Sequence, residues 1–343
     1  MRLSIIIPVK NVASYIDNCI RSIYAQKIAP ENFEVILIDD GSVDQTLNLC
    51  KSYAKIHSNI MVITQSESGV GLARNKGLDH ASGRYIYFMD GDDYLARNTL
   101  GAVLKAAEES HADIAGFRTI QTSKANLFEE NSTKIKGEKF SGNGIYHLAE
   151  NPNYRVEIWW YIIRKEFLIN TGLRFEERRF VNDSYFTPKL FLQAENMIFL
   201  NKDVHRYLIR GGSTTKSNRE SHLKRHINDS LYAIEQMNRL MAELEKEEDA
   251  EVRLVALERI NSKRMSYAFF TLIRFCKSNG SILHLNRLLV QLKQLEAYPI
   301  TGMDSSEHQG IKYKVLTNIM NNKFLLNGFI KGLRPALRII NRN

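Results

Sequence analysis

The stretch from Tyr85 to Asp93 ends a run of apolar and β-favouring residues with three carboxylates. Residues 85–89 read Tyr-Ile-Tyr-Phe-Met, which is typical of a strand covered on both faces in a parallel sheet. Asp90 and Asp92 are two positions apart, so in an extended segment their side chains point the same way. Two such carboxylates repel unless a cation lies between them, and oxygen ligands suit Mg²⁺ or Mn²⁺. The pattern predicts a metal site, with solvated aspartates that cap the next helix as the alternative.

Strands and helices alternate around these carboxylates and must position them. The sequence predicts strands at 3–7, 33–38, 60–63, 85–89 and 114–117, with a helix between each strand and the next. Pro8 is expected to end the first strand, because it cannot donate to a ladder. Ser14 and Asp17 have the spacing of a capping box, and Asp44 is expected to start the second helix. Short links between alternating elements indicate an α/β fold with a mainly parallel sheet and helices on both faces.

The second half of the chain changes character twice. Residues 121–143 are polar and without a clear period, which indicates an insertion or long loop. Strands are predicted at 158–163, 197–200 and 204–209, with a helix starting at Asp183. Beyond Ser217 the pattern is helical almost throughout, at 223–244, 252–275, 282–295 and from 311 onward. We therefore expect a domain over 1–217, with halves 1–117 and 118–217, and a helical C-terminal region over 218–343.

Composition limits the classes of protein that need considering. The 343 residues carry a formal net charge of +9, which favours an anionic partner. The three cysteines are far apart and have no metal-ligand spacing, so neither a disulfide nor a zinc site is expected. No run approaches the roughly 20 apolar residues that a membrane span needs. These features favour a cytoplasmic protein that is soluble or peripherally bound to a membrane.

Positive charge gathers at the C-terminus. Lysines and arginines alternate there with leucine, isoleucine and phenylalanine, and no acidic residue follows Glu307. A basic amphipathic helix at the inner face of an anionic membrane has this composition. The alternatives are a helix packed on the rest of the protein or a partner interface, and a homodimer through the helical region stays open. Pro335 is expected to break or kink the helix. No motif for reading DNA or RNA accompanies the charge, so no nucleic-acid partner is predicted.

Four groups of polar residues follow successive predicted strands. They are 8–11, 39–42, 68–74 and 90–93. In a doubly wound sheet these segments converge at the carboxyl edge, where such sheets bind ligands. These segments contain carboxylates for a metal on a diphosphate, an arginine, and glycines that let the backbone come close. Such groups suit a nucleotide. Neither a Walker-type lysine loop nor a dinucleotide fingerprint follows the first strand, which weakens ATPase and dehydrogenase hypotheses.

These segments, read in order, resemble a known family. Ile5-Ile6-Ile7-Pro8-Val9-Lys10-Asn11, Asp39-Asp40-Gly41-Ser42-Val43-Asp44, Gly69-Val70-Gly71-Leu72-Ala73-Arg74-Asn75 and Met89-Asp90-Gly91-Asp92-Asp93 are similar to the successive signatures of inverting, metal-dependent family-two glycosyltransferases. The match covers Met1 to about Phe117, continues more loosely to Ser213 and does not include the helical tail. The resemblance implies the GT-A fold and a role in building bacterial surface polysaccharide.

The resemblance also implies roles for individual residues. Pro8, Val9 and Asn11 would line the nucleotide pocket, Asp40 would bond the base, Asp39 would support the same loop, and Arg74 would contact or brace the nucleotide. Asp90 would face the ribose and the metal waters, Asp92 would bind Mn²⁺ or Mg²⁺ directly, and Asp93 would lie behind them. The general base would be Asp183, which follows Phe175-Glu176-Glu177. The family more often has Glu where this chain has Asn182.

Further candidates come from the second half. Trp159 and Trp160 resemble the family's acceptor-side tryptophan region, with a place in the core as the alternative for either ring. His205 is a candidate late metal ligand or an ordinary structural histidine. Arg210, Ser213 and Thr214 could clamp a diphosphate.

The sequence thus predicts an enzyme that moves a sugar from a nucleotide-diphosphate donor, UDP-linked by preference, to a hydroxyl of a glycan or lipid-linked acceptor. An inactive nucleotide-sugar-binding scaffold of a glycan assembly complex is the first alternative. A sugar nucleotidyltransferase is the second, although the loop Pro8-Val9-Lys10-Asn11 lacks the glycine-rich basic pattern expected there.

Overall fold

The computed structural model describes residues 1–129, 140–151, 154–177, 181–210, 219–303 and 310–340, without the side chains of 140 and 333–340. The chain divides into two compact units. The first comprises Met1–His147 and Val156–Gly211, and the second comprises Leu148–Arg155 and Gly212–Asn343. Among the described residues, every candidate site residue lies in the first unit.

Nine strands in the described residues form one sheet in the first unit. They are β1 (Leu3–Val9), β2 (Phe33–Asp40), β3 (Ile60–Gln65), β4 (Tyr85–Phe88), β5 (Tyr94–Leu95), β6 (Ile114–Thr122), β7 (Phe140–Gly142), β8 (Tyr161–Arg164) and β9 (Met197–Leu208). The order across the sheet is β3-β2-β1-β4-β8-β6-β9-β5, and β7 pairs with β9.

The helices connect and cover these strands. They are α1 (Ile16–Tyr24), α2 (Thr46–Ile56), α3 (Val70–His80), α4 (Leu100–Glu109), α5 (Gly144–Glu150), α6 (Lys165–Asn170) and α7 (Asp183–Gln193). On one face of the sheet, Ile5 and Ile7 share a buried core with apolar residues of α1, α2 and α4. On the other face, Gly77 of α3 lies so close that an added Cβ would meet Ile6 and Ile38. Helices therefore cover both faces, as the sequence predicted.

The two halves of the sheet differ in strand direction. β1 to β4 pair only in parallel with one another, as the βα alternation predicted. Beyond β4, β8 pairs antiparallel with both β4 and β6, whereas β6 and β9 are parallel. The sheet is therefore mixed, and its parallel half carries all four polar strand ends.

Pro8 does not end the first strand. β1 continues to Val9, with Pro8 opposite Ile38 of β2. The backbone oxygen of Ile6 accepts from Met89 on the β4 side. Pro8, two residues on, faces that same side, where pairing with β4 has already ended. The missing N–H therefore removes no ladder bond.

The predicted capping box at Ser14 and Asp17 is wrong. α1 begins at Ile16, and no side chain caps it. Asp17 instead accepts hydrogen bonds from Tyr53 of α2 and pairs with Arg21. A contact with the neighbouring helix therefore replaces the local one.

The second half of the first unit is more regular than the sequence indicated. β6 extends to Thr122, inside the segment predicted as a loop, and β7 occupies 140–142. Residues 130–139 lie outside the described residues. The strands predicted at 197–200 and 204–209 are one continuous strand, β9.

The second unit is helical as predicted, with α8 (Glu220–Leu244), α9 (Ala250–Lys277), α10 (Ile282–Gln294), α11 (Ile311–Asn321) and α12 (Lys323–Ile340). Leu272, Leu285, Met320 and Ile330 belong to its shared core. α12 is not broken at Pro335, and the interruption falls at Asn322 instead. Of the helices in the described residues, none combines the length and hydropathy of a membrane span.

Candidate active site

The loops after β1 and β2 are joined by hydrogen bonds. The backbone N–H of Asn11 donates to Ser42 Oγ at 3.1 Å, and Asn11 Oδ1 accepts from Val43 N at 2.9 Å. Val12 N donates to Thr46 Oγ1 at 2.8 Å. Pro8 and Val9 are buried at the start of this seam, whereas Asn11 is exposed with a φ of 51°. The predicted nucleotide-lining residues of the first two strand ends therefore lie together.

Asp40 is bonded mainly to the loop after β3. Its Oδ1 accepts from Gln65 Nε2 at 2.8 Å and from Ser68 N at 2.7 Å, and its Oδ2 accepts from Gly69 N at 3.0 Å. Asp39 Oδ2 accepts from Ser42 N at 3.2 Å. Both carboxylates are buried and hold loops at the strand ends. The support role predicted for Asp39 agrees with this bond, and a base contact by Asp40 stays a prediction.

Helix α3 is hydrogen-bonded to the segment that precedes Asp183. The side chain of Asn75 donates to Phe175 O at 2.8 Å and accepts from Phe175 N at 3.0 Å. A Cβ at Gly71 would lie 2.5 Å from Asn182 Nδ2, so only glycine permits this approach. The close approach predicted at Gly71 is thus made to another part of the chain, and it sets Arg74 against Asp183.

Arg74 bridges two predicted site carboxylates. Its Nη1 donates to Asp183 Oδ1 and its Nη2 donates to Asp90 Oδ1, each at 3.0 Å. The guanidinium lies over the ring of Phe175, 5.4 Å from the centroid. Arg74 is only 5% exposed, so neither bond is strongly screened by water. The candidate base and the first metal-loop carboxylate are therefore held by one cation.

Asp183 begins α7 and has a perturbed acidity. Burial raises the pKa of its carboxyl to about 6, and the negative charges of Asp90 and Glu157 add to this effect, while the positive charge of Arg74 opposes it. A carboxylate near this pKa accepts a proton more readily than an exposed aspartate and is still mostly ionised at pH 7. These properties suit the general base predicted from the sequence.

Asp92 is held by a second arginine. Arg210 Nε donates to Asp92 Oδ2 at 2.5 Å, and the Arg210 guanidinium lies over the ring of Tyr15 at 5.0 Å. Burial raises the pKa of Asp92, the charge of Asp90 raises it further, and Arg210 lowers it. Arg210 thus lies beside Asp92, and its role as a diphosphate clamp stays a prediction, whereas Ser213 and Thr214 lie outside the described residues.

Asp93 turns away from Asp92 into a buried network. Its Oδ2 lies 3.0 Å from His205 Nε2, and its Oδ1 accepts from Leu208 N at 2.8 Å. His205 Nδ1 lies 2.8 Å from the hydroxyl of Tyr87, and the imidazole is fully buried. Both ring nitrogens of His205 therefore face protein groups, which favours the structural role over that of metal ligand.

The two tryptophans face different surroundings. Trp159 stacks on His205 with centroids 4.9 Å apart and on Tyr207 at 5.6 Å, next to the acidic loop. Trp160 packs among His147, Phe191 and Phe199. Both are at most 4% exposed, so little ring surface remains for stacking on an acceptor sugar. The structure brings Trp159 to the site and leaves Trp160 in the core, and acceptor contact stays a prediction.

The carboxylates fit a divalent cation that arrives with a diphosphate. Four carboxylates, from Asp90, Asp92, Asp93 and Asp183, share two arginines and one histidine. One oxygen of Asp90 and one of Asp92 is paired with an arginine, and each carboxylate has a second oxygen to offer. Among the described residues, no three His, Cys, Asp or Glu side chains are grouped as a metal site. Mg²⁺ commonly takes one or two carboxylates and completes its shell with substrate phosphates and water.

Several contributing residues were not assigned a role from the sequence. Gln65 could have been found, because it ends β3 at the same edge as the other polar residues. Tyr15, Asn75, Phe175 and Glu157 carry no comparable signal. Tyr15, Asn75 and Phe175 act through contacts with residues far along the chain, and Glu157 acts through its charge on Asp183. Spacing along the sequence does not reveal either effect.

Fold and site together define a class. The first four strands of the sheet are parallel and have acidic ends, an arginine holds an aspartate at the start of a helix, and the second unit is helical. These features agree with the GT-A fold that the resemblance implied. Residues 4–172 match the family described as Glycosyl transferase family 2. Residues 4–172 therefore form a glycosyl transferase family 2 domain.

Relatives and solved structures agree with this assignment. Glycosyltransferase GlyA of Streptococcus pneumoniae is 30% identical over 63% of this chain and 32% of its own length. The uncharacterized glycosyltransferase EpsJ of Bacillus subtilis is 32% identical over 62% of this chain and 63% of its own length. The crystal structure of Staphylococcus aureus TarS 1-349 in complex with UDP-GlcNAc matches with a TM-score of 0.69 and 21% identity, covering 97% of this chain and 92% of that one. The chain thus aligns with less than two thirds of the length of these curated relatives, and the structural match shows the shared fold.

Proposed function

We propose that this chain is an inverting glycosyltransferase that moves a sugar from a nucleotide-diphosphate donor to a hydroxyl of a glycan or lipid-linked acceptor. The observation that carries the proposal is the bridge from Asp90 through Arg74 to Asp183. It holds the candidate diphosphate side and the candidate base at one centre. A single displacement needs the two together, because the acceptor must attack while the diphosphate leaves.

The nucleotide occupies the edge formed by the first strand ends. Pro8, Val9 and Asn11 line its pocket, and Asp39 holds the adjoining loop through Ser42 N. Asp40 already accepts three hydrogen bonds, and a carboxylate has about four acceptor positions. We assign the remaining position to a donor group of the base.

The diphosphate lies beside Asp90 and Asp92, which would hold Mn²⁺ or Mg²⁺. When bound, the cation offsets the negative charge that gathers on the departing diphosphate. Arg210 orients Asp92 and opposes the effect of burial on its pKa. Arginine also binds phosphate oxygens strongly, so Arg210 can exchange Asp92 for the diphosphate.

Asp183 accepts the proton of the acceptor hydroxyl. The hydroxyl oxygen bonds to the anomeric carbon on the face opposite the diphosphate, and the bond to the diphosphate breaks. One carboxylate acting in one displacement gives a product with inverted configuration. Arg74 keeps Asp183 oriented and opposes the effect of burial on its pKa.

The donor class is inferred from a relative. The crystallised TarS fragment contains UDP-GlcNAc, and curated TarS is a poly(ribitol-phosphate) beta-N-acetylglucosaminyltransferase, 27% identical over 60% of this chain and 35% of its own length. These names support a UDP-linked donor and a role in building surface polysaccharide. They do not select the sugar or the hydroxyl.

A hydrolysis screen of nucleotide sugars with Mn²⁺ or Mg²⁺ tests the proposal, because slow donor hydrolysis needs no known acceptor. We expect cation-dependent release of UDP from one or a few UDP-sugars. Asp79→Asn is the matched control, since it removes an exposed carboxylate that pairs with Arg174 and not with Arg74 or Arg210. Cation-dependent UDP binding without turnover on any donor or acceptor would favour the scaffold instead, and no nucleotide-sugar binding would refute the proposal.

A further inference from the structure

α11 and α12 present an unusual surface on the side turned away from the core. The exposed side chains there are Ile311, Lys312, Lys314, Val315, Lys323, Phe324, Leu325 and Lys331, which together are called the outer face. Phe324 is 86% exposed and Ile311 is 82% exposed, against 47% for Leu325. Exposure of such large apolar side chains to water is unfavourable, and covering them with another apolar surface stabilises the protein.

The opposite side of the same helices is already used inside the second unit. Met320, Leu326 and Ile330 are buried in its core. Tyr298 Oη donates to Met320 O at 3.0 Å, and the side chain of Asn321 bonds both backbone groups of Ile300 at 2.8 Å. Asn322 Oδ1 caps α12 by accepting from Phe324 N and Leu325 N. The outer face is therefore held rigidly without contributing to the core.

The charge of the outer face selects its occupant. All four of its charged residues are lysines, and the sequence contains no acidic residue after Glu307. A second copy of the chain meeting this face with the same face would bring lysine against lysine. A nucleic acid would satisfy the lysines but would leave Phe324, Leu325 and Ile311 exposed to a polar backbone. An anionic lipid surface satisfies both groups, because phosphates attract the lysines and the acyl boundary accepts the apolar side chains.

We propose that the outer face of α11 and α12 docks the protein on a membrane surface rich in anionic headgroups. Phe324 and Leu325 enter the boundary between headgroups and acyl chains, and Lys312, Lys314, Lys323 and Lys331 lie among the phosphates. This inference does not depend on the proposed glycosyl transfer. If both hold, docking raises the local concentration of a lipid-linked acceptor.

Co-sedimentation of the full chain with vesicles tests the proposal. Vesicles of phosphatidylcholine mixed with phosphatidylglycerol are compared with phosphatidylcholine alone, at low and high salt. We expect binding to the mixed vesicles only, weakened by salt. Each lysine near an anionic surface contributes about fivefold to binding, so replacing all four with Gln should reduce partitioning at least about tenfold. Phe324→Ser with Leu325→Ser should reduce it comparably.

Matched controls distinguish binding by the outer face from effects of total charge or of exposed apolar side chains elsewhere. Leu283→Ser with Val290→Ser removes two exposed apolar side chains of α10, and replacing Lys51, Lys55, Lys105 and Lys224 with Gln removes four exposed charges elsewhere. Both controls should bind as the unaltered chain does. Thermal melting checks that all variants fold. We expect them to fold because the altered side chains are exposed.

Three results would overturn the proposal. The first is that the unaltered chain fails to bind mixed vesicles at low salt, and the second is that the outer-face variants and their controls bind equally. Alternatively, vesicle-free sedimentation could show an oligomer that only the outer-face variants dissociate, which would assign the face to self-association.

Discussion

Two groups of carboxylates lie in the first unit and differ in what they bind. Asp39 and Asp40 accept hydrogen bonds from backbone N–H groups and from the amide of Gln65. Asp90, Asp92 and Asp183 are instead bonded by the guanidinium groups of Arg74 and Arg210. The first group fixes loops at the strand ends, and the second group consists of carboxylates paired with arginine side chains.

The difference indicates separate tasks for chemically identical side chains. Backbone donors do not move without unfolding a loop, so Asp39 and Asp40 suit a rigid pocket. Arginine side chains can exchange one anionic partner for another, so the second group can respond to a diphosphate. Burial raises the pKa of Asp92 and Asp183, and such shifts are common at active sites, which supports the roles proposed for that group.

Asp183→Asn tests the active group most directly. Removing a general base lowers turnover by about 10²–10⁴-fold. The folded-state pKa of Asp183 is raised, so its favourable contribution to stability is present at low pH and is lost as pH rises through about 6. The variant should therefore melt no lower than the unaltered chain at pH 7. Turnover is measured with the donor found in the screen, and near-normal turnover would remove Asp183 as the base.

Asp92→Asn should abolish most of the stimulation by Mn²⁺ or Mg²⁺. Charge stabilisation by a bound cation contributes several kcal/mol, so the rate at saturating cation should fall roughly a hundredfold or more. UDP affinity is measured by titration with and without the cation. If the variant kept the same cation dependence as Asp79→Asn, Asp92 would not be the ligand.

The pH dependence of turnover should report the ionisation of the Asp183 carboxyl group. Because the ionised carboxylate is the base, activity rises with pH and its acidic limb is centred near pH 6. Arg74→Gln removes a positive charge that lowers this pKa, so the limb should move to higher pH. A profile that Arg74→Gln leaves in place would show that the Arg74–Asp183 bond does not control the base.

Asp40→Asn should have the smallest effect and a different character. It places an amide where two backbone N–H groups and the Gln65 amide now donate to a carboxylate, and an unsatisfied buried donor costs about 1–3 kcal/mol. We expect a lower melting temperature and weaker UDP binding, with the acidic limb unchanged. If the acidic limb shifted in Asp40→Asn, Asp40 would also influence the base, and the two groups of carboxylates would not have separate tasks.

Much of the first unit could be predicted because its signals are local. Alternating apolar runs located β1 to β4, and the polar residues that follow them indicated the ligand edge. The errors arose where distant contacts replaced local ones. Asp17 bonds Tyr53 rather than capping α1. Pro8 stays in β1 because its neighbour strand ends first.

By itself the sequence determined where the first four strands lie along the chain, the acidic residues at the strand ends and the basic, acid-free tail. These depend on residue type and on spacing along the chain. The tertiary structure alone decided that Arg74 joins Asp90 to Asp183, that Arg210 holds Asp92, and that Asp93 turns to His205. These pairs are separated by 16 to 118 residues, so their contacts and the resulting pKa shifts exist only once the chain has packed.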